Sequence, residues 1–201
     1  MPSIDQTAKD QFAKVFVKAD WPVFKSLADR YFERAARLRK SELSAFPPNM
    51  RLLARNIEKR LFIGIGTELL LKGLYLRHGF VINKAVTHSI GVPPFPFTPA
   101  QAATAGVALE AGDTYMLNDL IQCLHRVPAV GALGPPEPGL RIAKVFRNKE
   151  GHVVVSAHKF DPHEYREIET ALIGVYARGF GQTLKVTISM APKEKAVWKL
   201  S

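Results

Sequence analysis

The stretch LFIGIGTELLLKGLYL, residues 61–76, decides the fold of this chain. It is apolar on nearly every side and continues a basic, amphipathic segment over residues 51–60, with no proline between Asn49 and His78. A proline-free run of this length predicts one long helix whose second half is buried in the core. Gly79 is a suitable residue to end that helix.

Gly64 and Gly66 lie two positions apart inside this predicted helix. A dinucleotide-binding fingerprint would need a preceding strand and another glycine three residues after Gly66, and the sequence has neither, so we expect both glycines to allow close helix packing. Glu68 is a carboxylate in an otherwise apolar stretch and needs a partner. Lys72, four residues on, predicts a structural ion pair; a role beside a polar site is the alternative.

Further helices flank this one. Capping and periodicity predict two before it, one starting near Ser3 and one near Pro22. After the central helix, the sequence predicts a proline-rich loop and four more helices, with a Pro/Gly-rich connection between the second and the third of them. It also predicts two extended segments, which we pair as a C-terminal antiparallel ribbon. These segments are the loop 79–97, helices over 99–110, 115–125 and 140–146, a helix opening at Asp161, the connection 128–139, and strands over 153–158 and 184–190.

The composition favours a polyanionic partner. The chain of 201 residues has 28 Lys and Arg against 18 Asp and Glu, a formal charge of +10. Such a balance suits RNA, DNA or an anionic surface, although a solvated basic face is an equally simple explanation. A single cysteine, Cys123, fits a reducing compartment, and the apolar run 61–76 is short for a membrane span. We therefore expect a cytoplasmic protein with no membrane partner.

The segment FRNKEGH, residues 146–152, brings together the chemistry of RNA cleavage. Arg147 is a permanent cation that forks onto phosphate, and His152 can accept or donate a proton near neutral pH. The structural alternative is that Arg147 caps helix carbonyls and His152 is a structural hydrogen-bonding residue. The sequence has no P-loop, nucleophile elbow or zinc-ligand spacing, so we expect no metal and no cofactor.

These features together resemble the HEPN family. The motif Glu68-Leu-Leu-Leu-Lys72 followed by Gly79 and Lys84 is similar to the family's long second helix, and Arg147-Asn148 with His152 is similar to its R-[polar]-x(3–5)-H motif. The resemblance covers about residues 50–180. The predicted strand after His152 and the long 79–97 loop are additions to the family pattern.

The resemblance implies a HEPN-like antiparallel helical bundle that forms a homodimer and cleaves RNA without a metal, leaving a 2′,3′-cyclic phosphate. Arg147, His152 and Asn148 would be catalytic, and Lys144 and Lys149 would bind substrate. A toxin–antitoxin or phage-defence role, with an antitoxin or regulatory protein as partner, would follow. The chain is then one mainly α domain: a helical extension (1–47), the bundle (48–180), and a C-terminal strand and tail (181–201).

Two other functions are compatible with the sequence. A module of the same fold could bind RNA, a nucleotide or a partner protein without catalysis. An unrelated helical scaffold could contain the arginine and histidine by chance. Nucleic-acid affinity that falls with salt and survives loss of His152 would distinguish the binding module from the scaffold.

Overall fold

The computed structural model describes residues 20–38, 44–86, 91–131, 137–151 and 162–189. This part of the chain is mainly helical, as predicted, with one small two-stranded sheet. Its elements, in chain order, are α1 (Trp21–Arg37), α2 (Arg51–Arg77), β1 (Asn83–Ala85), α3 (Pro99–Thr104), β2 (Leu109–Thr114), α4 (Leu117–Gln122), a 3₁₀ turn (Leu124–Arg126), α5 (Pro128–Gly131), α6 (Glu137–Gly151), α7 (Pro162–Val175) and a π-helical turn (Tyr176–Phe180).

The long central helix is confirmed. The 27 residues of α2 include the whole 61–76 stretch, where Ile63, Leu70, Leu71 and Leu74 have no exposed surface. The backbone N–H of Gly79 donates to the carbonyl oxygen of Leu76, at 3.0 Å, and Gly79 has a φ of 77°. Only a residue without Cβ adopts that left-handed conformation at little cost, so glycine ends the helix here.

Glycines place α2 between two other helices. A Cβ on Gly66 would lie 2.8 Å from the ring of Phe32 in α1, whereas a Cβ on Gly64 would lie 2.6 Å from the Cβ of Arg147 in α6. Two residues correspond to about 200° of turn in an α-helix, so α1 and α6 pack on opposite sides of α2. The prediction that these glycines serve close packing is confirmed.

The helices α6 and α7 form an antiparallel pair that packs on the same core as α2. A Cβ on Gly139 would lie 2.2 Å from the carbonyl oxygen of Glu167, so the two backbones nearly touch. Farther along, the rings of Phe146 and Tyr165 lie 5.4 Å apart. Both helices supply fully buried apolar side chains to the same core as α2, among them Leu140, Ala143, Phe146, Ile168, Leu172 and Val175.

The predicted helix near Pro22 is confirmed as α1. Asp20 is its N-cap, and its side chain accepts a hydrogen bond of 2.7 Å from the backbone N–H of Trp21. Pro22 occupies the first turn, where no backbone donor is required. The helix predicted near Ser3 lies outside the described residues.

The predicted helix over 99–110 is wrong in its second half. Thr98 and Gln101 form the expected capping box, but α3 ends at Thr104 and Gly106 follows with a φ of 63°. A left-handed glycine turns the chain out of the helix. Residues 109–114 then form β2, which pairs antiparallel with β1 inside the 79–97 loop. Likewise, the predicted 115–125 helix is shorter, and α4 spans only 117–122.

The predictions for α6 and the segment before it were also wrong at their boundaries. Residues 128–131 are helical, and α6 begins at Glu137 and continues to Gly151. Pro138 lies in the first turn of α6, where its missing N–H costs nothing. Arg147 is therefore inside the helix and not at its end, because Arg-Asn-Lys-Glu has ordinary helix propensity and sustains another turn.

The predicted C-terminal strand does not form over residues 184–189. The backbone N–H groups of Ile188 and Ser189 instead donate to a side-chain oxygen of Glu169 in α7, at 3.0 Å and 2.6 Å. Ile188 is fully buried in the core cluster. The apolar alternation thus reflects docking of an irregular segment on α7. The proposed partner strand, 153–158, lies outside the described residues.

Within the described ranges, no helix is both long enough and apolar enough to cross a membrane.

Candidate functional site

Arg147 lies at a close approach between α6 and α2. Its backbone nitrogen would be 2.6 Å from a Cβ on Gly64, so the absence of a side chain at that glycine sets how near the two helices approach. One turn along α2, on the same face as Gly64, is Glu68. The sequence therefore places a carboxylate beside the arginine by way of a glycine four residues earlier.

Glu68 binds two cations at once. Its Oε1 accepts from the Nζ of Lys72, and its Oε2 accepts from the Nε of Arg147, both at 2.8 Å. The side chains of Lys72 and Glu68 are 10% and 13% exposed, whereas that of Arg147 is 37% exposed. We name these three residues the α2–α6 seam. The predicted pair with Lys72 is confirmed, and Glu68 also adjoins the motif arginine.

The two cations keep Glu68 ionised. Burial of the carboxyl raises its pKa, but the Lys72 ammonium, with its hydrogen bond, and then the Arg147 guanidinium outweigh that effect and hold the pKa below its ordinary value. The charges of the seam add to one excess positive charge at neutral pH. An anion that reaches Arg147 therefore meets a net positive group, although one carboxylate lies beside it.

The bond to Glu68 leaves most of the guanidinium open. A guanidinium has five N–H donors, and the bond uses the single donor on Nε. The two terminal amino groups form no hydrogen bond within the part of the chain that the structure describes, and the side chain is more than one-third exposed. These groups are the edge of arginine that binds a phosphate with two parallel hydrogen bonds. Glu68 thus orients Arg147 without using that edge.

Lys144 extends the polar surface toward α4. It precedes Arg147 by three residues, so the two share a face of α6. Its Nζ donates to Oδ1 of Asn118, at 2.7 Å. The predicted substrate-binding lysine is therefore held near Arg147 by an amide from another helix.

The other predicted site residues are placed less completely. Asn148 is exposed, one position further around α6, and it forms no hydrogen bond within the described ranges. The residue that is bonded to Arg147 is Glu68 of α2, and not the neighbouring Asn148. Lys149 lies in α6, and His152 lies outside the described residues.

A second carboxylate has a closely similar set of partners. Oδ2 of Asp29 accepts from the Nζ of Lys25, at 2.7 Å, and its Oδ1 accepts a hydrogen bond from the hydroxyl of Tyr176. Tyr176 is 1% exposed, and burial followed by the hydrogen bond to Asp29 raises its pKa. We name these three residues the α1–Tyr176 cluster. It joins α1 to the π-helical turn.

Two other reactive side chains in the described part of the chain, Cys123 and His163, have no comparable arrangement. Burial raises the pKa of the Cys123 thiol, which disfavours the nucleophilic thiolate. The side chain of His163 is 66% exposed, and its Nε2 lies 3.5 Å from Oε1 of Glu167. Among the described residues, no group of three or more His, Cys, Asp and Glu side chains could hold a metal ion.

The basic half of α2 is more deeply buried than its composition suggests. Arg55, Lys59 and Arg60 are 8%, 6% and 6% exposed. The Nζ of Lys59 lies 5.2 Å from the centre of the Tyr165 ring, and the Nε of Arg60 donates to the carbonyl oxygen of Asn56. Amphipathic patterning did not reveal this burial, because long basic side chains can be covered along their stems.

Two contacts of the site were missed by the sequence, namely Glu68 with Arg147 and Lys144 with Asn118. The first had a usable signal, since Gly64 and Glu68 share a helical face and an acid in an apolar run needs partners. The second had none, because Asn118 lies in a short helix whose orientation depends on the tertiary fold.

No protein-family model, curated protein or solved structure matches this chain.

Proposed function

We propose that the protein is a HEPN-type endoribonuclease that cleaves RNA without a metal ion. The observation that supports this most is the orientation of Arg147 at the α2–α6 seam. Glu68 holds its Nε, the terminal amino groups have no hydrogen bond within the described residues, and the side chain is more than one-third exposed, five residues before His152. An arginine with only a capping or dipole role needs no such partner from a second helix.

In the proposed reaction, neutral His152 accepts the proton of a ribose 2′-hydroxyl. The 2′-oxygen attacks the adjacent phosphorus, and the bond from phosphorus to the 5′-oxygen breaks. A protonated imidazole, that of His152 in the second subunit of a homodimer, supplies the proton to the leaving 5′-oxygen. The products are a 2′,3′-cyclic phosphate and a 5′-hydroxyl, with no redox step and no water consumed.

Arg147 stabilises the negative charge that grows on the phosphoryl oxygens. Its amino groups are already oriented by Glu68, so little reorganisation is needed as the charge develops. Lys144 on the same face, with Lys149 in the following turn, binds neighbouring phosphates as point charges. Asn148, exposed beside Arg147, donates a hydrogen bond from its side-chain amide to the RNA.

This activity would suit a toxin–antitoxin or phage-defence system, in which an antitoxin or regulatory protein restrains the nuclease. A non-catalytic RNA-binding module is the second candidate. It is favoured by one observation, the exposure of Arg30, Arg34 and Arg37 on α1. RNA affinity without cleavage would identify that function.

The test is cleavage of labelled, structured RNA in EDTA, with analysis of the product ends. Wild type should cleave and leave a 2′,3′-cyclic phosphate, and His152→Ala should not. His163→Ala is the matched control, because that histidine is exposed on α7 and has no proposed role. Cleavage by the His152→Ala protein at the wild-type rate would refute the proposed chemistry. RNA binding without cleavage by wild type would favour the binding module.

A further inference from the structure

One face of α1 carries a row of exposed arginines. Arg30, Arg34 and Arg37 are all exposed, and their spacing of four and three residues places them along one side of the helix. This side is opposite the buried side of α1, where Phe24 and Phe32 pack on glycines of α2. We call the three residues the α1 arginine face.

Antiparallel packing brings this face level with Arg147. The rings of Tyr31 and Phe62 lie 6.0 Å apart, and Phe32 packs on Gly66, so the second half of α1 lies beside the middle of α2. Arg147 packs on Gly64, at the same height but on the opposite side of α2. Packed helices lie about 8–10 Å apart, so the axes of α1 and α6 are separated by roughly twice that distance.

The side of α2 between the two helices is mainly apolar, with the partly exposed Glu58 three residues before Leu61 on the same face, and we call this side the floor. Leu61, Ile65 and Leu69 recur every four residues and are each partly exposed. Arg34 lies on the side of α1 that is nearer to this floor. Asp29 is on the opposite side of α1, where Tyr176 donates to its carboxylate, and Tyr31 lies about 200° around the helix from Asp29. Arg34 follows Tyr31 by three residues and so shares its side of the helix. A chain lying across the floor would therefore meet Arg147 on one side and Arg34 on the other, and it would reach Arg30 and Arg37 as it continues over α1.

The chemistry of both sides suits phosphate. The arginine fork matches phosphate oxygens, and a polyanion interacts with several such groups at once. The segment 29–38 contains three Arg against two acids, whereas Arg55, Lys59 and Arg60 of α2 are buried and do not add to the exposed surface. Of those acids, Asp29 already accepts hydrogen bonds from Lys25 and Tyr176.

We propose that the α1 arginine face binds the phosphate backbone of RNA whose reacting phosphate lies at Arg147, so that the RNA crosses α2. The inference rests on the proposed function, and it adds a substrate-binding surface to the same site. The N-terminal helix then determines affinity for RNA, while the α2–α6 seam acts on the bond that is cleaved.

The experiment measures binding of a labelled single-stranded RNA of mixed sequence to the full chain over a range of salt. All proteins carry His152→Ala so that the RNA remains intact. The test variant adds Arg30→Gln, Arg34→Gln and Arg37→Gln. The matched control adds Arg166→Gln, Arg178→Gln and Lys185→Gln, which remove the same charge from exposed positions elsewhere. A variant with only Arg30→Gln and Arg37→Gln is measured if the triple variant fails to fold.

The α1 variant should bind RNA at least about tenfold more weakly than its parent at about 0.15 M salt. The slope of log K against log salt should become shallower by about 2, because each of the three lost phosphate contacts on a single strand contributes about 0.7. The control should keep its affinity and slope. Equal affinities for the α1 variant and its parent, or equal losses in both variants, would overturn the inference while leaving wild-type cleavage intact. Absence of both binding and cleavage by the otherwise unmodified chain would refute the proposed function as well.

Discussion

Two carboxylates in this protein each accept hydrogen bonds from a lysine one helical turn away and from a side chain distant in the sequence, but their distant donors differ. In the α1–Tyr176 cluster, Asp29 accepts from a lysine four residues before it and from a residue 147 positions away. In the α2–α6 seam, Glu68 accepts from a lysine four residues after it and from a residue 79 positions away. Both carboxylates therefore join distant parts of the chain.

The distant donor makes the difference. Tyr176 is buried and has one hydroxyl proton, which it gives to Asp29, so nothing remains for a ligand. Arg147 is 37% exposed and gives Glu68 only its Nε–H. The same carboxylate–lysine pair thus serves stability in one region and, in the other, also orients a cation toward solvent. An anchored residue indicates a functional site only when it keeps unused donors that solvent can reach.

Replacing each carboxylate by an amide should distinguish the stabilising role of Asp29 from the role of Glu68 in orienting Arg147. Glu68→Gln and Asp29→Asn each replace an acceptor-only group by an amide, which can accept from one partner but turns N–H groups toward the other. Each variant should lose about 1–2 kcal/mol of unfolding free energy. Only Glu68→Gln should also slow RNA cleavage, by about 10–100-fold, because Arg147 loses its orientation.

The measurements are thermal unfolding and the cleavage rate per folded molecule. If Asp29→Asn slowed cleavage as much as Glu68→Gln, the distinction between the cluster and the seam would be lost.

The close approach of α2 and α6 can be tested at Gly64. A Cβ there would lie 2.6 Å from both the Cβ and the backbone nitrogen of Arg147, so Gly64→Ala must push the helices apart. We expect a loss of about 1–3 kcal/mol, as for other over-packed cores. The control is Gly174→Ala in α7, where a Cβ meets nothing within 4 Å. That change should raise stability by about 0.5–1 kcal/mol. Calorimetry showing the same sign for both would contradict the packing account.

The smallest effect concerns pH and the end of α2. Burial, and then the Arg77 guanidinium, hold the pKa of His78 below its ordinary value of 6.5, despite an opposing hydrogen bond with the backbone of Gly179. The unfolded chain therefore binds a proton at His78 more readily than the folded chain. The free energy of unfolding should therefore be fully present above a pH of about 6.5, the pKa of the unfolded chain. It should fall as the pH drops below about 6.5 toward the pKa of His78 in the folded state.

Chemical denaturation between pH 7.5 and 5 measures this dependence, and His78→Gln should remove part of it. Trp21 fluorescence should report the change, because Trp21 packs against Phe180 and Arg77 beside this helix end. Identical pH profiles for wild type and His78→Gln would show that His78 does not contribute.

The part of the fold that depends on hydrophobic periodicity was predictable from the sequence. The α2 helix, its glycine end and its tight packing at Gly64 and Gly66 follow from local pattern and steric size. Boundaries that depend on single turns were not predictable, as the early end of α3 at Thr104, before Gly106, shows. The 184–190 alternation misled the prediction, because burial of Ile188 and the hydrogen bonds to Glu169 replaced strand pairing.

The candidate site divides in the same way. The motif arginine and the Glu68–Lys72 pair were visible in the sequence, since both depend on residue type and spacing. The bond from Arg147 to Glu68 joins residues 79 positions apart and depends on the packing of α6 against α2. Spacing within one segment cannot show such a contact, and this contact separates an oriented arginine from an ordinary exposed one.

The most direct test of the central claim is RNA cleavage in EDTA by wild type, Arg147→Ala and Tyr176→Phe, each normalised to its folded fraction. Arg147→Ala should fold and cleave about 10²–10³-fold more slowly, the usual cost of losing one donor that stabilises transition-state charge. Tyr176→Phe should be less stable and cleave at the wild-type rate. A folded Arg147→Ala protein that cleaves as fast as wild type, with the same cyclic phosphate ends, would contradict the assignment of the α2–α6 seam as the active site.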